Sequence, residues 1–157
     1  MLCHWQWKFH QKLYQQNIQK IYQTIIARDF YNNSASRFST RFRYTSETKK
    51  IWINHVNNAF TNSDIIGINF NKWFQEEKYR YYLTKEFNIP FTDSGLNDVH
   101  GYGSSTFDNK KYNGKAQKMD VLNRWKNFKS NPEYWNHINY TLKFICKQYF
   151  NMEITIP

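Results

Sequence analysis

Glycine is scarce in this 157-residue chain: there are five, and none precedes Gly67. That shortage excludes a glycine-bearing phosphate loop from everything upstream, because such loops need glycine where backbone N–H groups close on the anion. Acidic residues are also few. Asp plus Glu number 12 against 22 Lys plus Arg, which leaves a formal net charge of +10. A surface of this sign attracts nucleotide phosphates, sulfated or acidic acceptors, nucleic acid or acidic lipid, so charge sets the sign of the partner and not its identity. Only Cys3 and Cys146 are present, in apolar settings without a C-x-x-C spacing. Neither a zinc site nor a disulfide framework is therefore predicted, and a reducing interior suits the chain. His55, His100 and His137 lack metal-ligand spacing, which discounts a metallohydrolase and leaves no metal site. No run approaches the ~18 apolar residues of a membrane span, and the amino terminus has no basic segment leading into an apolar one. The expectation is a soluble, cytoplasmic protein with no membrane span.

What the chain has in abundance is aromatic surface. Six Trp, twelve Tyr and thirteen Phe make up 20% of the residues, enough buried area per residue to argue against disorder. The length is that of one domain, shorter than a complete two-sided α/β transferase needs. Hydrophobic spacing predicts helix over 5–20, strand over 21–28, helix over 30–42, and helix over 46–60 with Trp52, Val56 and Phe60 inward. A second strand is predicted over 64–70. A helix over 77–87 then carries Tyr79, Leu83 and Phe87 on one face and stops before Pro90. Residues 88–117 read as one long irregular stretch holding four of the five glycines, the natural place for a mobile cover. A helix near 118–128 follows, with Arg124-Trp125 read as anchoring the helix after it. That last helix starts at Ser130-Asn-Pro-Glu133 in a capping-box-like manner, with Trp135, Ile138, Leu142, Ile145 and Tyr149 as one continuous apolar ladder.

The most informative stretch runs from Ile21 to Phe38. Ile25-Ile26-Ala27 is a short apolar run of the kind found in buried parallel strands, and Arg28 emerges at its carboxyl end, where open α/β sheets bind ligands. Ser36 lies two helical turns further on, so its hydroxyl and the guanidinium can face one crevice. An arginine fork offers bidentate, charge-assisted bonds to phosphate, and a serine hydroxyl can add another donor. Taken alone, Arg28-Asp29 after a strand is more often a structural ion pair or a helix-entry cap.

The arrangement resembles the 3′-phosphate-binding motif of the sulfotransferase family, in which a strand ends on Arg and a Ser follows eight residues later. Asp64-Ile-Ile-Gly-Ile-Asn-Phe-Asn-Lys-Trp73 is similar to that family's next strand and turn. The stretch from Gly101-Tyr-Gly-Ser-Ser-Thr-Phe107 to Gly114-Lys-Ala-Gln-Lys-Met119 looks like its C-terminal cofactor loop. The resemblance implies 3′-phosphoadenosine 5′-phosphosulfate (PAPS) as co-substrate, with Arg28, Ser36, Ser104, Ser105, Gly114 and Lys115 as cofactor-binding residues. Read from the residues themselves, Ser104 and Ser105 either contact phosphate or cap the turn. The run Lys110-Lys111-Tyr112-Asn113-Gly114-Lys115 either closes over a nucleotide or is a solvated charge run. The implied fold is α/β, a partial three-layer parallel sheet flanked by helices as in sulfotransferases and P-loop NTPases, helix-rich and lacking the first strand and phosphate loop. Residues 1–157 are accordingly expected to form a single, incomplete sulfotransferase-like domain. It would bind the 3′-phosphate and, if an N-terminal part completes it, transfer sulfuryl to an acceptor hydroxyl or amine.

No catalytic residue is assigned. Part of the family uses a His shortly before the Arg strand as base, and His4 and His10 precede Arg28, but His10 shares an apolar helix face and reads as a packing residue. The alternative function is a small basic nucleic-acid-binding module without catalysis. Arg37, Arg41 and Arg43 interleaved with Phe38, Phe42 and Tyr44 could contact phosphates and stack bases, although no RNA- or DNA-binding signature accompanies them.

Overall fold

The computed structural model describes residues 22–39, 44–98, 112 and 114–155. Two short strands, β1 (Gln23–Ala27) and β2 (Ile65–Asn69), pair in parallel, in register from Gln23 opposite Ile65 to Ala27 opposite Asn69. Between them run α1 (Phe30–Ser39) and α2 (Ser46–Thr61), which carry the chain back across the sheet as parallel pairing requires. The fold is thus a helix-rich α/β arrangement around a two-stranded parallel sheet.

Local chemistry explains where these elements begin. Asp29 caps α1, its Oδ1 accepting from the Asn32 backbone N–H at 2.8 Å. Thr45 and Thr48 form a reciprocal capping box at the start of α2, each hydroxyl accepting from the other's backbone N–H at 3.2 and 2.8 Å. The face of α2 carrying Trp52, Val56 and Ala59 is buried on the sheet, and Phe60 packs against the same core. Gly67 permits that approach: a Cβ there would lie 1.7 Å from the Ala59 carbonyl oxygen. The core joins Phe30, Tyr31, Trp52 and Val56 to Leu142, Ile145, Cys146 and Phe150, with the Phe30 ring 4.7 Å from Tyr44 and 5.0 Å from Trp52.

After β2 the chain enters α3 (Phe70–Gln75) at once, capped by Asn69, whose side chain accepts from Lys72 N–H at 3.1 Å. This helix is absent from the sequence-based expectation, which read Phe70–Trp73 as strand end and turn. The helix α4 (Glu77–Glu86) matches its expected range, but Arg80, not Tyr79 or Phe87, is buried beside Leu83. Arg80 occupies that position because Asp93 neutralises it with two 2.8 Å bonds while the Trp73 carbonyl accepts a third. The helix does stop before Pro90, by a device of its own. Asn88 adopts a left-handed conformation (φ 52°), with Asn88 N–H bonded to the Lys85 carbonyl and Ile89 N–H to that of Thr84, a Schellman ending.

The C-terminal third departs further from expectation. The helix predicted near 118–128 is instead two short 3-10 turns, Ala116–Lys118 and Arg124–Phe128. The helix predicted to run on from Ser130 is two helices, α5 (Pro132–Trp135), capped by Asn131, and α6 (Tyr140–Phe150), capped by Asn139. The break escaped notice because Ile138, in the linker, is as buried as the helical residues on either side, so the apolar ladder continues while the backbone does not. The described part of the 88–117 stretch holds no α-helix or strand, and its helical residues are 3-10: Tyr112 and the turn that begins at Ala116. The predicted helix over 5–20 lies outside the described residues, as do Cys3, His4, His10 and His100. Among the described residues no helix is long and apolar enough to cross a membrane.

Candidate anion-binding site

Arg28 leaves the carboxyl end of β1 as expected, and Asp29 behind it is the helix cap. Asn32 and Ser36 lie one turn apart on one edge of α1, Arg28 stands just before the helix, and a distant segment is fastened to these three residues. An Arg28 Nη2 donates to the Val121 carbonyl, Asn32 Nδ2 donates to the Leu122 carbonyl at 2.8 Å, and an Arg124 Nη1 donates to the Ser36 hydroxyl at 2.9 Å. The sequence expectation placed Ser36 beside Arg28. In the structure the guanidinium bonded to the Ser36 hydroxyl is that of Arg124, while Arg28 bonds the Val121 carbonyl.

The electrostatics of this cluster are unusual. Arg124 is 8% exposed, and its pKa is pushed down to about 10, first by burial and then by the positive charge of Arg28. Burial lowers the Arg28 pKa too, against the opposing pull of Asp29. Guanidinium groups are not deprotonated in proteins near neutral pH, so both carry their charge there. Two like charges held near one another out of water are costly unless an anion joins them. Asp29, fully buried, supplies one negative charge, already engaged by the backbone and side-chain nitrogens of Asn32. Arg28 Nε has no hydrogen-bond partner among the described residues, and the guanidinium lies 5.3 Å from the centre of the Phe70 ring. The Ser36 hydroxyl donates to the Asn32 carbonyl at 3.0 Å while accepting from Arg124. Its proton is spent within the helix, so the donors on offer are guanidinium N–H groups, and the serine acts mainly by holding one of them.

A cavity of about 170 Å³ adjoins the cluster through Arg124, lined also by Tyr112, Met119, Asp120, Asn123 and Asn127. Arg28 and Ser36 are not among its lining residues. Gly114 (φ 73°) and Lys115 are exposed at a turn closed by a 2.7 Å bond from Lys115 N–H to the Tyr112 carbonyl. They reach the neighbourhood through Tyr112, and no hydrogen bond or ion pair among the described residues joins either to Arg28 or Ser36. Ser104, Ser105, Lys110 and Lys111 lie outside the described residues.

The described members of the basic-aromatic segment are packed rather than displayed. The Arg37 guanidinium lies 4.6 Å from the Tyr44 ring centre, Tyr44 is buried with its hydroxyl donating to Asn33, and Phe38 packs on Phe128 and Tyr134. Arg41, Phe42 and Arg43 lie outside the described residues. Cys146 is buried beneath the site, its sulfur accepting from Phe30 N–H at 3.3 Å and its thiol pushed up to about 12 by burial, which makes it inert.

Arg124 and Asn32 are the residues that sequence reasoning missed. Arg124 is 88 positions from its partner Ser36, and nothing local distinguishes it from a helix anchor. The only hint is Val121-Leu122, an apolar pair between Asp120 and Asn123, which marks a segment docked on something. No protein-family model, no curated protein and no solved structure matches the chain.

Proposed function

We propose that the chain is a nucleotide-binding, sulfotransferase-like domain whose Arg28, Ser36 and Arg124 grip the ribose-linked 3′-phosphate of PAPS. The observation that carries this reading is the pair of guanidiniums gathered where a parallel strand ends, Arg124 buried and Arg28 half-buried, the latter with a buried Nε–H lacking any described partner. A phosphate supplies two or more negative oxygens, enough to join both forks and to offset their mutual repulsion. The site's place at the edge where β1 gives way to α1 is where α/β sheets receive ligands. Part of the proposal is that the two strands belong to a larger three-layer parallel sheet of the sulfotransferase and P-loop type.

The same resemblance extends the proposal to sulfuryl transfer onto an acceptor hydroxyl or amine. In that reaction the cluster serves the nucleotide end: Arg28, Ser36 and Arg124 bind and orient, and none of them is a base at neutral pH.

Calorimetric titration with adenosine 3′,5′-bisphosphate and, separately, with a short DNA oligonucleotide tests the reading. Bisphosphate should bind the unaltered chain, and Arg28→Ala should weaken that binding about 10- to 100-fold. Oligonucleotide binding that is steeply salt-dependent and indifferent to Arg28, with no bisphosphate binding, would replace the proposal with a basic nucleic-acid module, whose phosphate contacts are spread over many cations.

A further inference from the structure

We propose that Asn32 is the positioning residue of this site, setting both Ser36 and Arg124 through atoms that never meet the anion; the proposal rests on the nucleotide reading above. Asn32 is fully buried in the first turn of α1. Its backbone carbonyl takes the Ser36 proton at 3.0 Å, which leaves a serine lone pair turned to Arg124. Its Nδ2 donates to the Leu122 carbonyl at 2.8 Å, fixing the chain two residues ahead of Arg124. The same nitrogen faces both Asp29 carboxylate oxygens, at 3.1 and 3.0 Å. With three acceptors around it, the amide fits one way only: turned over, its oxygen would confront a carboxylate and a carbonyl.

One feature of Asn32 argues that more than packing is served. Its Oδ1 is buried with no hydrogen-bond partner among the described residues. An orphaned buried carbonyl destabilises a fold, and an apolar residue of similar shape would avoid it. Such a residue could not hold Leu122, and aspartate would set a second carboxylate against Asp29. Asparagine is the side chain that keeps the donor without adding charge. Ser34, on the same helix and also buried, provides a contrast. It bonds the Tyr31 carbonyl and the Tyr134 hydroxyl within the core, and no hydrogen bond among the described residues joins its hydroxyl to Arg28, Ser36 or Arg124.

The test is a double-mutant cycle in adenosine 3′,5′-bisphosphate affinity, with thermal stability recorded for every variant: the unaltered chain, Asn32→Ala, Arg124→Ala, the double variant, and Ser34→Ala. The expected result is that Asn32→Ala weakens binding about 10-fold, and that the double variant loses clearly less than the product of the two single losses, because Asn32 works through Arg124. Ser34→Ala should lower the melting temperature yet leave affinity within about twofold. If Asn32→Ala does not fold, Asn32→Ser, which keeps a hydroxyl donor, enters the same cycle. Independent, multiplying losses, or an Asn32 variant that binds like the unaltered chain, would overturn the positioning role alone. An unaltered chain that binds no bisphosphate would overturn the nucleotide reading and the positioning role with it.

Discussion

The two strands end side by side and end differently. At the close of β2, Asn69 is buried and every polar group shown is used within the fold: its side-chain oxygen caps α3, its Nδ2 donates to the Tyr149 carbonyl at 2.8 Å, and its backbone N–H donates to the Tyr79 hydroxyl at 3.0 Å. At the close of β1, one step away in register, stand a capping Asp29, a half-buried Arg28 with an unused buried Nε–H, and the buried guanidinium of Arg124. The same topological position is sealed with neutral hydrogen bonds in one case and loaded with positive charge in the other. Sealing an edge contributes stability; concentrating like charge there does not, and the proposed anion at the β1 end would offset that charge.

The largest effect should come from breaking the frame under both ends. Gly67→Ala places a methyl group into the Ala59 carbonyl and forces α2 off the sheet, so we expect a loss of at least ~3 kcal/mol in a denaturant or thermal melt, or failure to fold. A melt within ~1 kcal/mol of the unaltered chain would mean that α2 does not seat on Gly67.

Next comes the exchange that separates the two ends. Asn69→Ala should cost about 2–3 kcal/mol of stability through the lost cap and bonds, while the folded variant binds bisphosphate normally. Arg28→Ala should do the reverse, weakening bisphosphate about 10- to 100-fold, because a charge-assisted bond is worth ~1.5–3 kcal/mol and each 1.4 kcal/mol is a factor of ten. Equal effects of both substitutions on stability and on binding would erase the distinction.

Alkaline pH should sharpen the picture under the β1 end. Burial raises the phenol pKa values of Tyr31, Tyr44 and Tyr134 above the ordinary 10 and the Cys146 thiol to about 12. Folded-state values above unfolded ones mean that the native chain holds protons the unfolded chain has lost. The stabilisation is complete well below pH 9 and declines as pH rises through 9 towards 12, while Arg28 and Arg124, both lowered by burial, work the other way. Denaturant melts from pH 8 to 11 check this: the midpoint should fall, and fall less in Cys146→Ala. A midpoint that climbs over that range would contradict it. The smallest effect belongs to Lys115→Ala, which should change bisphosphate affinity by no more than about twofold, as an exposed and screened charge does. A tenfold loss would restore Lys115 to the site.

The first half of the fold was legible because its signals are local. Ile25-Ile26-Ala27 and Ile65-Ile66 announce strands, and Trp52, Val56 and Leu83 announce helix faces, each within a window of a few residues. α3 was missed because six residues directly after a strand cannot show a helical period; only Asn69, as cap, gives it away. The break between α5 and α6 was missed because burial of Ile138 mimics helical spacing. Of the proposed site, Arg28 and Ser36 could be named from sequence for the same reason of locality, since one ends a strand and the other sits on the helix that follows. Arg124 was not, because its meaning is a contact across 88 residues, and a single arginine before a tryptophan carries no local mark of that.

The most direct test follows the Arg28 Nε–H itself. In a nitrogen-15 spectrum of arginine side chains, adding adenosine 3′,5′-bisphosphate should move one Nε–H resonance, assigned to Arg28 by its loss in Arg28→Lys, to the downfield position of a phosphate-bonded guanidinium. Saturating nucleotide that leaves the Arg28 resonance where it was would contradict the account.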